Sequence, residues 1–222
     1  MKTFSIAIDG PAGAGKSTIA RMVSKKLNYI YVDTGAMYRA FGLYCLENNI
    51  PLSEDSISSI VDDVDITIEY DDDEQQVILN GRNVNVFIRS SEASHMASAI
   101  SVYKSVRLKL VDLQRKLAEN ANVVMDGRDI GTYVLPNASL KIYLNASVAV
   151  RADRRCKELH ERGIDTEVDL IKEEIIDRDT RDMNREFAPL RKAHDAIELD
   201  TSTMNISQVT EKIVMLFEEK EK

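Results

Sequence analysis

A chain of 222 residues, 44% hydrophobic and 30% charged, has the make-up of a globular protein with one sizeable core. No apolar run reaches the roughly 18 residues a membrane span needs, and a net charge of −8 argues against broad nucleic-acid binding through a basic face. Two cysteines in unrelated contexts, Cys45 and Cys156, signal neither a disulfide framework nor a zinc site, so a reducing cytoplasm is the expected compartment.

The opening MKTFSIAIDG turns polar too quickly for a signal peptide and reads as a buried strand carrying Phe4, Ile6 and Ile8. Beyond it, Ile19, Val23 and Leu27 recur every four residues, which is a helix face. The stretch between, Gly10 to Ser17, fits G-x-x-x-x-G-K-[ST] at every position. Glycines let the backbone curl so that several N–H groups face phosphate oxygens, and the following helix points its partially positive end at the same place. Gly10, Pro11, Ala12, Gly13, Ala14, Gly15, Lys16, Ser17 and Thr18 are therefore expected to hold a nucleoside triphosphate. Lys16 would reach its β- and γ-phosphates, and the Ser17 hydroxyl would coordinate Mg²⁺.

Tyr29 to Val32 gives a second strand, and DTGAMYRAFGLYCLENN a loop followed by a helix. Strands alternating with helices predict a wound α/β sheet. From Val64 to Val86 the rhythm breaks into period-two alternation, with Asn80-Gly81 as a hairpin signal; a small antiparallel sheet of about three strands is predicted there. Two helical segments follow, Ser91 to Ser101 and Lys104 to Asn120, before NVVMDGRD and SLKIYLNAS resume the core strands. A long charged helical region, Ser147 to about Asn184, breaks near Gly163. Ala196 to Leu199 is a last strand, and NISQVTEKIVMLF a closing amphipathic helix. No internal repeat or linker is visible. One domain over 1–222 is expected, with its core at about 1–61 and 102–222, an inserted lobe at about 62–101 and a lid at about 151–166.

Triphosphate binding alone leaves function open. A switch GTPase would carry an [NT]-K-x-D element, which is missing. A mechanical ATPase would want a strand-end acid, for which Asp126 would serve, and an extended coupling surface that a short chain lacks. A small-molecule kinase needs positive charge around the transferring phosphoryl group. Arg151, Arg154, Arg155, Arg162, Arg178, Arg181, Arg185 and Arg191 crowd one window and supply it, although solvated helix faces with partners such as Asp177 for Arg181 would also account for individual arginines. His95, His160 and His194 are scattered and assemble no catalytic group.

DTGAMYR (33–39), DGRDIGTYVLPNASLKIYLNAS (126–147) and RDTRDMNREFAPL (178–190), together with the glycine-rich loop, resemble bacterial cytidylate kinases in matching order over nearly the whole chain, insertion included. The resemblance implies a P-loop kinase fold with a helical lid, acting as a cytoplasmic, monomeric enzyme on small nucleotides, with no nucleic-acid or membrane partner. It implies phosphoryl transfer from ATP-Mg²⁺ to CMP or dCMP. The nucleophile would be a phosphate oxygen, largely anionic near neutral pH because its second pKa is about 6, so no general base is needed.

Carried over by position, the resemblance puts Thr34, Tyr38, Arg39 and Arg128 at the acceptor, the last three on its phosphate. Asp129 would take the cytosine N4 hydrogens, and Ser98 and Arg107 would address N3 and O2. Arg178, Asp182 and Arg185 would contact sugar and phosphate; by spacing alone they are equally a surface ion-pair ladder. Lys16, Arg128 and the lid arginines Arg151, Arg154 and Arg155 would serve the transferring group. Thr34 stands where relatives can carry serine. Two rival readings keep the P-loop: a shikimate- or gluconate-type kinase, with no use for the base-reading set, and a nucleotide-dependent switch protein whose arginines serve a macromolecule.

Overall fold

The computed structural model describes residues 3–72, 74–161 and 163–221. Five parallel strands make the central sheet: β1 (Ser5–Asp9), β2 (Ile30–Asp33), β6 (Val123–Gly127), β7 (Leu140–Asn145) and β8 (Ile197–Asp200), in the order β2-β6-β1-β7-β8. Because both faces are covered by helices, β1 and β6 bury every side chain from Ile6 to Asp9 and from Val123 to Gly127. Period-two geometry then sorts them. Ala7, Val123 and Met125 join one apolar cluster with α2 (Thr34–Glu47), α4 (Ser91–Ile100) and α5 (Lys104–Asn120). Ile6, Ile8 and Val124 join another with α1 (Lys16–Leu27) and α8 (Ile206–Lys220).

The antiparallel sheet is β3 (Ile66–Asp71), β4 (Glu74–Leu79) and β5 (Arg82–Asn83). Asn80 and Gly81, at φ 47° and 78°, form the tight link between β4 and β5 that the Asn-Gly pair favours. Val64, Ile66, Val77 and Leu79 share the cluster that contains Val32 and Met125, so the insertion packs directly on the parallel core. Gln75 clips it to the end of β2: its Oε1 accepts from Asp33 N at 2.8 Å and its Nε2 donates to Asp33 O at 3.2 Å.

Three local features lie outside the sequence expectations. A short helix α3 (Glu54–Ile60) is capped by Ser53, whose hydroxyl accepts from Ser56 N. No loop precedes α2, which starts at Thr34 with Asp33 as its N-cap. A single π-helical turn, Ile130–Val134, follows β6. The charged region divides, as expected near Gly163, into α6 (Val148–Glu161) and α7 (Val168–Asn184), held by Ala152, Cys156, Ile171 and Ile175. Among the described residues no helix is long and apolar enough to cross a membrane.

Candidate active site

The carboxyl ends of β1, β2, β6 and β7 open on one side of the sheet, where the strand order around β1 splits toward β6 and β7. In wound α/β sheets that crevice is where ligands bind. Its floor is the loop Gly10–Gly15. A Cβ on Gly10 would stand 2.0 Å from Leu144 O, so only glycine lets β1 leave the sheet there. Gly13 and Gly15 lie at φ 74° and 85° and turn the chain back into α1.

The loop is held from beneath. Ala12 N donates to Asp179 Oδ1 (3.1 Å), Ala12 O accepts from Arg151 Nη1 (2.8 Å), and that same Nη1 pairs with Asp179 Oδ2 at 2.6 Å. Arg151 Nε donates to Ala146 O. The structure thus seats Arg151, buried, as a strut joining α6, α7 and the P-loop. Arg154 is tied to Thr201 (2.7 Å to O, 3.2 Å to Oγ1) and borders Gly15, while Arg155 pairs with Glu158 along α6 (Val148–Glu161). Arg162 lies outside the described residues.

Lys16 Nζ donates to Pro11 O at 2.8 Å across the loop. Ser17 Oγ donates to Asp126 Oδ2 at 3.0 Å, and Tyr31 Oη donates to Oδ1 at 2.9 Å. Burial, reinforced by Asp33, pushes the Asp126 carboxyl up to about 6. A hydroxyl and a carboxylate at the mouth of the P-loop are the hard oxygen donors a magnesium ion takes when phosphate oxygens complete its shell.

Cations converge above the loop. Burial, then Arg128, then Arg178 drive the Lys16 ammonium well below its ordinary value, against the pull of Asp126. Burial and the Arg128 guanidinium, with a further push from Arg39, lower Arg178 to about 10. Its Nε is buried with no hydrogen-bond partner among the described residues. Four positive groups from α1, α2, α7 and the turn after β6 therefore repel one another around a donor with no partner among the described residues, an arrangement an anion relieves.

Next to this cluster, Asp129 is buried between two arginines: Oδ2 accepts from Arg107 Nη2 at 2.6 Å and Oδ1 from Arg185 Nη2 at 3.3 Å. Arg107 also donates to Ser101 O, and Ser101 Oγ donates to Ser98 O, linking α4 and α5 to the turn after β6. The Tyr38 ring lies 5.7 Å below the Arg107 guanidinium, and burial pushes its phenol up to about 12, which keeps it a donor. Asp182 accepts from Arg128 Nε at 2.9 Å. Burial alone would raise its carboxyl, but Arg128, Arg178 and Arg185 outweigh that and hold it low. Arg39 pairs with Asp33 at 3.0 Å, and the Thr34 hydroxyl donates to Asp126 O, fixing the start of α2 against β6.

The structure thus gathers Ser98, Arg107, Asp129, Tyr38, Asp182 and Arg185 into one connected group beside Lys16, Arg128, Arg178 and Arg39. Residues 6–219 match the sequence model for cytidylate kinase. The chain belongs to the cytidylate kinase family. It is 50% identical to a cytidylate kinase of Caldicellulosiruptor bescii over 98% of this chain and 96% of the relative. It is 46% identical to one of Lactobacillus johnsonii over 99% and 96%. The solved structures of a shikimate kinase from Acinetobacter baumannii (TM-score 0.51, 14% identity, 99% and 96% covered) and a gluconokinase from Sinorhizobium meliloti (0.51, 12%, 97% and 92%) are similar in fold. The fold is common to all of them; the cytidylate kinase match spans residues 6–219, the small antiparallel sheet included.

Several residues that shape the site carried no sequence signal of their own. Asp179 supports the P-loop, although it stands beside Arg178 in a charged helix. Asp9 accepts from Ile130 N (2.8 Å) and Gly131 N (2.7 Å), which fixes the turn bearing Arg128 and Asp129. Arg181 donates to Ser98 Oγ at 2.8 Å, on another helix altogether, where its spacing along α7 would suggest Asp177 as partner.

Proposed function

We infer that this enzyme transfers the terminal phosphoryl group of ATP to CMP or dCMP, producing ADP and CDP or dCDP. The observation that carries the acceptor assignment is the buried Asp129, flanked by Arg107 and Arg185 and linked to Ser98 through Ser101, beside the cation cluster. Cytosine presents one amino donor and two acceptors, N3 and O2. A carboxylate has lone pairs left after two arginine contacts and can take the N4 hydrogens, while Ser98 and Arg107 supply donors. Uracil would instead turn its O4 toward Asp129.

The acceptor phosphate goes to Arg39, Arg128, Arg178 and Arg185, and Tyr38 adds a phenolic donor. Neutralising two anions that must approach in line is the main requirement, since the attacking oxygen is already ionised near neutral pH. Lys16 and the P-loop amides orient the ATP phosphates, with Arg154 at the Gly15 side of the loop. Arg151 works through the loop that it supports. Asp182 orients Arg128 and faces the sugar. Ser17 and Asp126 would hold Mg²⁺, which when bound spreads the charge of the β- and γ-phosphates. The insertion at about 62–101 forms the acceptor side, and about 151–166 the lid that excludes water as a competing acceptor.

Asp129→Ala tests the reading. Wild-type protein should form ADP with CMP far faster than with UMP, and the variant should lose at least about tenfold of that preference, the cost of one buried polar contact, with ATP affinity kept. An unchanged CMP-to-UMP preference would remove Asp129 from base recognition.

A further inference from the structure

Ser98 is buried on α4, and its hydroxyl oxygen accepts a 2.8 Å hydrogen bond from Nη1 of Arg181, a residue of α7. A serine hydroxyl is ordinarily ambidextrous, able to donate or to accept. A guanidinium is not: it has five donors, no acceptor, and does not lose its proton. With Arg181 on its oxygen, Ser98 cannot point its own proton at Arg181, and that proton finds no acceptor among the described residues. It is left for a ligand. With one of its two lone pairs taken by Arg181 and its proton unpaired, the hydroxyl is biased toward donating.

We propose that Arg181 is a specificity-determining positioning residue, which polarises Ser98 so that the hydroxyl donates to N3 of the acceptor's pyrimidine. The proposal rests on the cytidine monophosphate reading and deepens it. Cytosine N3 is an acceptor and meets a fixed donor well. Uracil carries a hydrogen on N3; meeting it would take the hydroxyl's second lone pair and leave the hydroxyl proton without an acceptor. Discrimination between the two bases is then set at two places, by Asp129 at position 4 and by the Arg181–Ser98 pair at position 3. The arginine itself touches no base.

The test compares kcat/KM for CMP and UMP in wild type, Arg181→Met, Arg181→Lys, Ser98→Ala and the Ser98→Ala/Arg181→Met double variant. Methionine keeps the aliphatic length and removes the donors, so the CMP-to-UMP ratio should fall about tenfold, the worth of one mispaired buried polar contact. Lysine, which is also donor-only, should retain most of the ratio. In the Ser98→Ala background, Arg181→Met should not move the ratio further. An unchanged ratio in Arg181→Met would overturn the proposal, as would an equal loss of kcat/KM for both nucleotides, which marks a mere latch between α4 and α7. A shift of the same size in the double variant would show that Arg181 does not act through Ser98. Wild-type protein that turns over CMP and UMP alike would defeat the base-reading assignment itself; wild-type discrimination that survives Arg181→Met defeats only the role of Arg181.

Discussion

Asp9 shows how a single buried group can set the aim of several others. Its carboxyl lies at the end of β1, takes two backbone N–H bonds from Ile130 and Gly131, and sits near both Asp129 and Lys16. Burial raises it to about 7, against the downward pull of those two N–H bonds. The unfolded chain gives up this proton near the ordinary value of 3.8 and the folded chain only near 7, so between those values the folded state holds more protons. The contribution of Asp9 to stability is therefore greatest below pH 4 and declines as pH rises to about 7. Asp9→Asn removes that titration and leaves a fixed loss of one acceptor. Denaturant unfolding of both proteins at several pH values should show the variant gaining on wild type between pH 4 and 7, with no further change above. A pH-independent difference would contradict the assignment.

At the scale of elements, two glycines in left-handed backbone make opposite predictions. Gly10→Ala would drive a Cβ to 2.0 Å from Leu144 O, backbone against backbone, so β1 and β7 would have to part. Loss of several kcal/mol and of ATP binding is expected. Gly163→Ala, at φ 76° with open space around it, should cost only about 1 kcal/mol and leave ATP affinity intact. Thermal melts with nucleotide titrations separate the two. The same contrast explains what the sequence reveals. The P-loop and the order of strands and helices are legible because each depends on contiguous residues: a fixed glycine spacing, or a period of two or 3.6. The helix Glu54–Ile60 escapes because seven residues with three serines give no clear period, and the π turn because its partner, Asp9, lies 121 residues away from Ile130. Arg181 and Ser98 are 83 residues apart, so their bond exists only once α4 and α7 face each other. Arg151 reads as one more lid arginine until the fold places Asp179 beneath the loop.

Over the whole molecule, an acidic protein of net charge −8 concentrates Lys16, Arg39, Arg128 and Arg178 at one crevice. Their mutual repulsion is carried by the folded state, and any anion that binds there stabilises it by mass action. Inorganic phosphate should raise the melting temperature more than chloride at equal ionic strength. Arg178→Met should diminish that difference, since it removes the buried Nε that has no partner among the described residues. Equal stabilisation by the two anions would mean that the cations do not form an anion site. Phosphoryl transfer at the proposed site requires that this crevice bring two nucleotides together and keep water from the phosphoryl group, so transfer must prevail over hydrolysis. Phosphorus NMR of the protein with ATP, Mg²⁺ and CMP addresses it most directly. The account predicts that CDP and ADP signals grow together in equal amounts with little inorganic phosphate; loss of ATP to ADP and inorganic phosphate, with CMP untouched, would contradict it.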